Sequence, residues 1–314
     1  MTNWRSCHGY PINTFQGTLR QKLNSVDTDA IVAQRLKRMP SIIGKLHRFP
    51  NMQLARMQDI GGLRAVVPTL AKARALEDNY RNSRFMHVLV ASHDYIDAPK
   101  SSGYRSIYLI YRYKNSRSPQ YDGLLLELQI CTQLQHAWAT AVETVGIFTG
   151  QALKSNLGSE DWKRFFALMG TAIAMREKAT LVPNTPTTRK DLVSELRACV
   201  TKLDAQTKLK NYSSVLQLPR HVGLKEAAYY LLELNPTAKT IGVTSYKQKD
   251  LKQASEDYLN VERTLGARPE SMGAQAVLVS VGSLASLKRA YPNYFLDMRV
   301  FIDEVARALT YSSG

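Results

Sequence analysis

The chain has 314 residues, 44% hydrophobic and 22% charged, which is ordinary for a folded protein with room for two domains and a real core. Its charge is unusual: 42 Lys and Arg against 26 Asp and Glu give +16, with a pI near 9.7. That excess favours polyanionic partners (nucleotides, RNA or an anionic surface) over a merely basic exterior. Cys7, Cys131 and Cys199 are scattered, so neither a disulfide framework nor a zinc spacing is present. The polar start MTNWRSCHGYPIN lacks the apolar core of a secretion signal, and no run approaches the ~20 apolar residues of a membrane helix. A cytoplasmic protein without membrane association is expected.

In chain order, residues 14–25 and 29–48 read as helices, the second interrupted at Pro40. LRAVVP (63–68) is a strand stopped by proline, 69–82 a helix and 85–93 a second strand. DYIDAPKSSGY (94–104) has the composition of a functional loop. Strands at 105–113 and 123–131 flank a polar hairpin connection, and a helix follows at 132–145. This alternation predicts one layered α/β or α+β domain. The chain stays helical to about 180, and 181–190, with two prolines and three threonines, reads as a linker. Beyond it come a helix (190–210), a segment around Tyr229–Leu234, strand-like 239–246 and 275–282, an intervening helix (247–266) and a last helix near 297–310. The expected division is therefore 1–180 and a smaller α/β module over 191–314. SLKRAYPNYF (286–295) mixes basic and aromatic residues, which fits a partner surface or internal packing equally well.

Two acids stand in unusual settings. Asp59 precedes a strand in MQDIGGLRAVV, and Glu127 lies inside apolar LLLELQI. Leu125, Glu127 and Gln129 share one face of that strand by period two. A carboxylate there is costly unless it pairs with a cation or binds a metal, and both readings stay open. Residues 29–64 carry seven Lys and Arg (35, 37, 38, 45, 48, 56 and 64) against two acids, Asp29 and Asp59. Triphosphate chemistry needs that combination, because phosphoryl charge is neutralised by magnesium and Lys/Arg; a solvated helix face is the plainer alternative. Lys100 and Tyr104 add a loop lysine within reach of phosphates and an aromatic that either stacks on a base or packs in a core. His136 reads as a packing or capping histidine ahead of a catalytic one, and Cys131 as a small buried apolar residue ahead of a reactive thiol.

Five blocks, R-L-K (35–37), SIIGKLHR (41–48), DIGGLR (59–64), DYIDAPKSSGYRSIY (94–108) and ELQICTQLQHAW (127–138), together resemble the RelA/SpoT synthetase domain over about residues 20–148. No block resembles the hydrolase domain of the long bifunctional members, so a small synthetase-only relative is expected. The resemblance implies an α+β fold: a mixed sheet flanked by helices, nucleotidyltransferase-like, here with the C-terminal module added. It implies Asp59 and Glu127 as Mg2+ ligands, Arg35 and Arg64 beside the ATP adenine, and Lys37, Lys45 and Arg48 on the donor phosphates. It further implies Tyr104 stacked on the acceptor base, Lys100 on acceptor phosphates, and Gln129 placing the attacking hydroxyl. The chain departs from the family pattern at His93, Tyr108 and Cys131, where the family carries a basic residue, a histidine and an arginine. Tyr108, at an acceptor-binding position, supplies no positive charge to a diphosphate.

The resemblance implies an ATP-dependent pyrophosphokinase acting on GDP or GTP to give (p)ppGpp. The alternatives are the same chemistry on the 3′ CCA end of tRNA, as in toxic small members of the family, and a catalytically degenerate regulatory or RNA-binding protein. The 191–314 region is open to a regulatory role, including contact with an antitoxin.

Overall fold

The computed structural model describes residues 2–150, 153, 158–214, 227–238, 240–267, 274–280 and 284–310. After helices α1 (Thr2–Cys7) and α2 (Gly9–Asn24), the expected single helix over 29–48 divides into strand β1 (Ile31–Leu36) and helix α3 (Met39–Arg48). The reason is local and tertiary together. Ile31 and Val32 favour a pleated backbone and pair with β2, while Pro40 lies in the first turn of α3, where a missing N–H is harmless.

The other elements follow the expected order: β2 (Gly61–Val67), α4 (Leu70–Arg81), β3 (Val88–Asp94), β4 (Ile107–Arg112), β5 (Leu125–Thr132) and α5 (Gln133–Thr149). They form one mixed sheet in the order β1-β2-β5-β4-β3, parallel at β2–β5 and antiparallel elsewhere. Thr69 caps α4, accepting from Lys72 N. Thr132 and Gln135 form a capping box at the start of α5, so β5 passes into that helix without a loop. One face of β5 presents Leu126, Leu128 and Ile130 to a core with Phe15, Leu76 and Tyr80 of α2 and α4. The opposite face carries Glu127 and Gln129.

Helices α6 (Glu160–Glu177), α7 (Arg189–Leu203) and α8 (Ala205–Ser214) come next. The helix expected over 190–210 breaks at Asp204, whose φ is +49°. Strands β6 (Tyr229–Asn235), β7 (Thr240–Tyr246) and β8 (Gln275–Ser280) form an antiparallel sheet in the order β7-β6-β8, with α9 (Leu251–Ala267) inserted between β7 and β8. Helices α10 (Leu284–Ala290) and α11 (Arg299–Leu309) close the chain. Packing crosses the 181–190 linker. Leu196 of α7, Leu209 of α8 and Phe301 of α11 share one core with Trp138 and Phe166. The small sheet forms another core with Leu287, Tyr294 and Ala33 of β1. Among the described residues, no helix is long and apolar enough to cross a membrane.

Candidate active site

Strand register builds the site. One row across the sheet runs Arg35, Gly62, Glu127, Ile110. The next but one runs Ala33, Arg64, Gln129, Tyr108, His93. Period two puts both rows on the same face. Gly62 has no side chain, so nothing on β2 stands between Arg35 and Glu127.

In the second row the side chains are joined. Arg64 Nε donates to Gln129 Oε1 at 2.8 Å, and an Arg64 Nη lies 3.3 Å from His136 Nδ1 on α5. Gln129 Nε2 donates to the Tyr104 hydroxyl, which also bonds the Tyr108 hydroxyl. Asp59 sits just before β2, and each carboxylate oxygen takes one ammonium: Lys37 Nζ at 2.6 Å and Lys45 Nζ at 3.0 Å.

The two acids titrate differently. Burial works against ionising Asp59, but Lys37 and Lys45 outweigh it and hold its carboxyl below the usual range. Glu127 is pushed up to about 7, first by burial and then by the negative charge of Asp59. Lys37, Arg35 and Lys45 offset this only in part. Burial also pulls Lys37 and Lys100 down, opposed by Asp59 and Glu127 respectively.

A cleft of about 950 Å3 gathers Arg35, Lys37, Lys45, Arg48, Asp59, Arg64, Lys100, Tyr108, Glu127 and Gln129. Tyr104 is the expected site residue that does not line it. Its ring is 8% exposed, packed edge-on against Trp138 and Tyr95, and its hydroxyl is engaged by Gln129 and Tyr108. The stacking face expected of Tyr104 is thus inside the core. Tyr95 lines the cleft together with Tyr108 and Phe49, and Lys100 Nζ lies 4.2 Å above the Tyr95 ring. The only sequence signal of Tyr95 is its place in the D-Y-I-D loop. Cys131 is buried, with its thiol pushed up to about 11 by that burial, as a packing residue would be.

Among the described residues, no group of three or more His, Cys, Asp or Glu is placed to hold a metal. The cleft carries three carboxylates, Asp59, Glu127 and Glu143, the first two forming the expected pair. That pair fits Mg2+, which takes one or two carboxylates and completes its shell with water and substrate phosphates. The raised Glu127 carboxyl marks a place where added positive charge is stabilising.

The C-terminal module supplies a wall that spacing did not reveal. The Tyr291 hydroxyl accepts from Gln34 N at 2.9 Å and donates to Gln34 O, docking on β1 beside Arg35. Tyr291, Asn293 and Tyr294 then enclose a recess of about 60 Å3 with Arg35, Arg64, Glu127 and Glu143. Burial disfavours the Arg35 charge, but Glu143, Tyr294, Tyr291 and Glu127 together raise its pKa. Tyr291, Tyr294 and Phe295 are therefore packing residues, and the two tyrosines also line the recess.

A mixed sheet flanked by helices, with lysines, arginines and carboxylates gathered in one cleft, defines an α+β domain with a strongly charged site. Residues 34–146, which hold all the expected site residues, match the model of the region found in RelA / SpoT proteins, and this segment is a RelA/SpoT-type domain. GTP pyrophosphokinase YjbM of Bacillus subtilis is 32% identical over 111 residues, covering 35% of this chain and 52% of that protein. The uncharacterized protein Rv1366 of Mycobacterium tuberculosis is 29% identical over 132 residues, covering 40% and 43%. The chain thus spans about half the length of the curated relatives it matches. A solved structure of small alarmone synthetase 1 from Bacillus subtilis bound to its product pppGpp aligns at 24% identity and TM-score 0.46, over 57% of this chain and 94% of that one. At that overlap the fold assignment rests on the sheet order itself.

Proposed function

We propose that the cleft transfers the β,γ-pyrophosphate of ATP to a ribose 3′-hydroxyl. One observation carries this: Asp59 and Glu127, far apart in sequence, meet in a cleft whose walls hold Arg35, Lys37, Lys45, Arg48 and Arg64. Mg2+ held by the two carboxylates would neutralise phosphoryl charge. The basic residues orient the triphosphate and favour the charge that shifts toward AMP as it leaves. Gln129, fixed at Oε1 by Arg64 and at Nε2 by Tyr104, is left to orient the acceptor hydroxyl. That oxygen bonds to the β-phosphorus, the bond from the β-phosphorus to the α,β-bridging oxygen breaks so that this oxygen leaves with AMP, and the hydroxyl proton is released to solvent.

The first reading of the acceptor is GDP or GTP, as the name of the Bacillus subtilis relative suggests. A second reading, the 3′ end of tRNA, is favoured by one observation. Tyr108 stands opposite His93 on the acceptor side, tied to Tyr104, and Lys100 is the ammonium on that wall. Such a wall suits an acceptor without a 5′-diphosphate. Incubation with ATP labelled in the γ-phosphate, Mg2+, and GDP, GTP or tRNA separately tests both readings. Label on no acceptor, with folded protein, rejects the transferase; label on tRNA alone rejects the guanine-nucleotide reading.

A further inference from the structure

Helix α3 carries Lys45 and Arg48 and begins just after Lys37, so it holds much of the donor side of the cleft. Its own packing is slight. Ile42 is buried in a small cluster with Met57 and Ile60, and Met39 and Leu46 pack against that cluster half-buried. Its start also lacks the usual local cap. The N-cap residue Arg38 makes no side-chain cap bond among the described residues, and Pro40 in the first turn has no N–H. The Met39 N–H is met instead from the C-terminal module. It donates to Oε1 of Glu262 on α9 at 2.8 Å, across 223 residues of sequence.

The Glu262 carboxylate is itself fixed. Its Oε1 also accepts from the Tyr258 hydroxyl at 3.0 Å, and its Oε2 accepts from Arg5 Nη1 at 2.6 Å. The Arg5 side chain is 2% exposed, and its guanidinium lies 5.0 Å over the Tyr258 ring. One carboxylate thus ties α1, α9 and the start of α3 together, where burial strengthens charged hydrogen bonds. A negative charge there also complements the positive end of the α3 backbone dipole. We infer that Glu262 is a positioning residue for the donor phosphates. Through it the C-terminal module fixes the start of α3, and α3 in turn presents Lys45 to Asp59 at 3.0 Å. The inference rests on the reading of the cleft as an ATP site, and gives α9 a part in donor binding separate from the tyrosine wall beside Arg35.

The test uses the full chain and two matched double variants, Arg5→Met with Glu262→Leu and Arg5→Met with Glu262→Gln. Both remove the buried ion pair without leaving a lone charge, and only the second keeps an oxygen for Met39 N. The readouts are amide exchange over residues 39–45, affinity for a non-hydrolysable ATP analogue with Mg2+ by titration calorimetry, and kcat and KM for ATP taken separately. With Glu262→Leu, exchange over 39–45 is expected to rise and analogue affinity to fall about fivefold, the scale of one lost helix cap. KM for ATP should rise by a similar factor while kcat stays within about twofold. With Glu262→Gln, exchange and affinity should stay near the parent. Glu262→Asp, which draws the carboxylate back from Met39 N but keeps its charge beside Arg5, gives the same comparison should the double variants not fold. A residue that only stabilised the fold would lower the melting temperature in both double variants and leave KM alone. Equal exchange over 39–45, or equal analogue affinity, in the Leu and Gln variants overturns the inference. A parent chain that binds no analogue rejects the ATP reading of the cleft instead, and the exchange comparison still decides whether Glu262 holds α3.

Discussion

Arg64 on β2 donates through Nε to the side-chain oxygen of Gln129 on β5, at 2.8 Å, across a register pair of the sheet. The contact joins a residue expected beside the donor base to one expected at the acceptor hydroxyl, so the two halves of the proposed reaction share one hydrogen bond. Arg64→Lys keeps the charge but loses the fork that holds Gln129 and His136. The expected result is a fall of about tenfold or more in kcat/KM for transfer, or ~1.4 kcal/mol, with unchanged circular dichroism. A variant as active as the parent would remove Gln129 positioning from the mechanism.

The carboxylates should separate function from stability. Glu127→Gln takes a disfavoured charge out of a buried place, so transfer is expected to drop by about two orders of magnitude while the melting temperature holds or rises. Asp59→Asn should lose activity to a similar extent but also stability, roughly 1–2 kcal/mol, because Lys37 and Lys45 lose their shared partner. Thermal melts beside initial rates read both effects. Equal destabilisation by the two substitutions would contradict the charge arrangement described.

The recess between Arg35, Arg64 and the C-terminal tyrosines holds about 60 Å3, room for about two waters and far less than a purine needs. If a donor base enters there, Tyr294 must give way. Tyr294→Ala is expected to tighten ATP binding severalfold by titration calorimetry, as is Tyr291→Phe, which loses the hydroxyl that bonds both Gln34 backbone groups. Unchanged or weaker ATP binding in both would show that the base binds elsewhere.

Acceptor choice should respond to Tyr108. Tyr108→His places an ionisable imidazole in the row with His93 and Gln129 and ends the hydroxyl contact with Tyr104. The ratio of transfer to GDP over transfer to tRNA is expected to rise about fivefold or more, from a gain of one charge-assisted contact. A ratio that does not move would mean that Tyr108 does not set the acceptor.

Much of the site is legible along the chain, for reasons that are themselves local. Alternation in β5 puts Glu127 and Gln129 on one face whatever the strand packs against, and a buried carboxylate needs a partner in any fold. Charge density over 29–64 marks the phosphate side, although its β1 portion reads as helix until pairing with β2 is known. Tyr104 shows the limit. An aromatic beside a glycine is consistent with stacking or packing, and only the position of Trp138, 34 residues later, decides that its ring is buried.

By itself, then, the sequence determines the alternation of strands and helices from β2 to α5, the strand face that bears the acids, and the basic run beside them, because these depend on neighbours within a few residues. Only the tertiary structure decides that Asp59 and Glu127 share a cleft, that Tyr95 rather than Tyr104 faces it, and that Tyr291 and Tyr294 close its inner end. Those outcomes depend on sheet register and on contacts such as Tyr291 with Gln34, 257 residues apart, which no local pattern encodes.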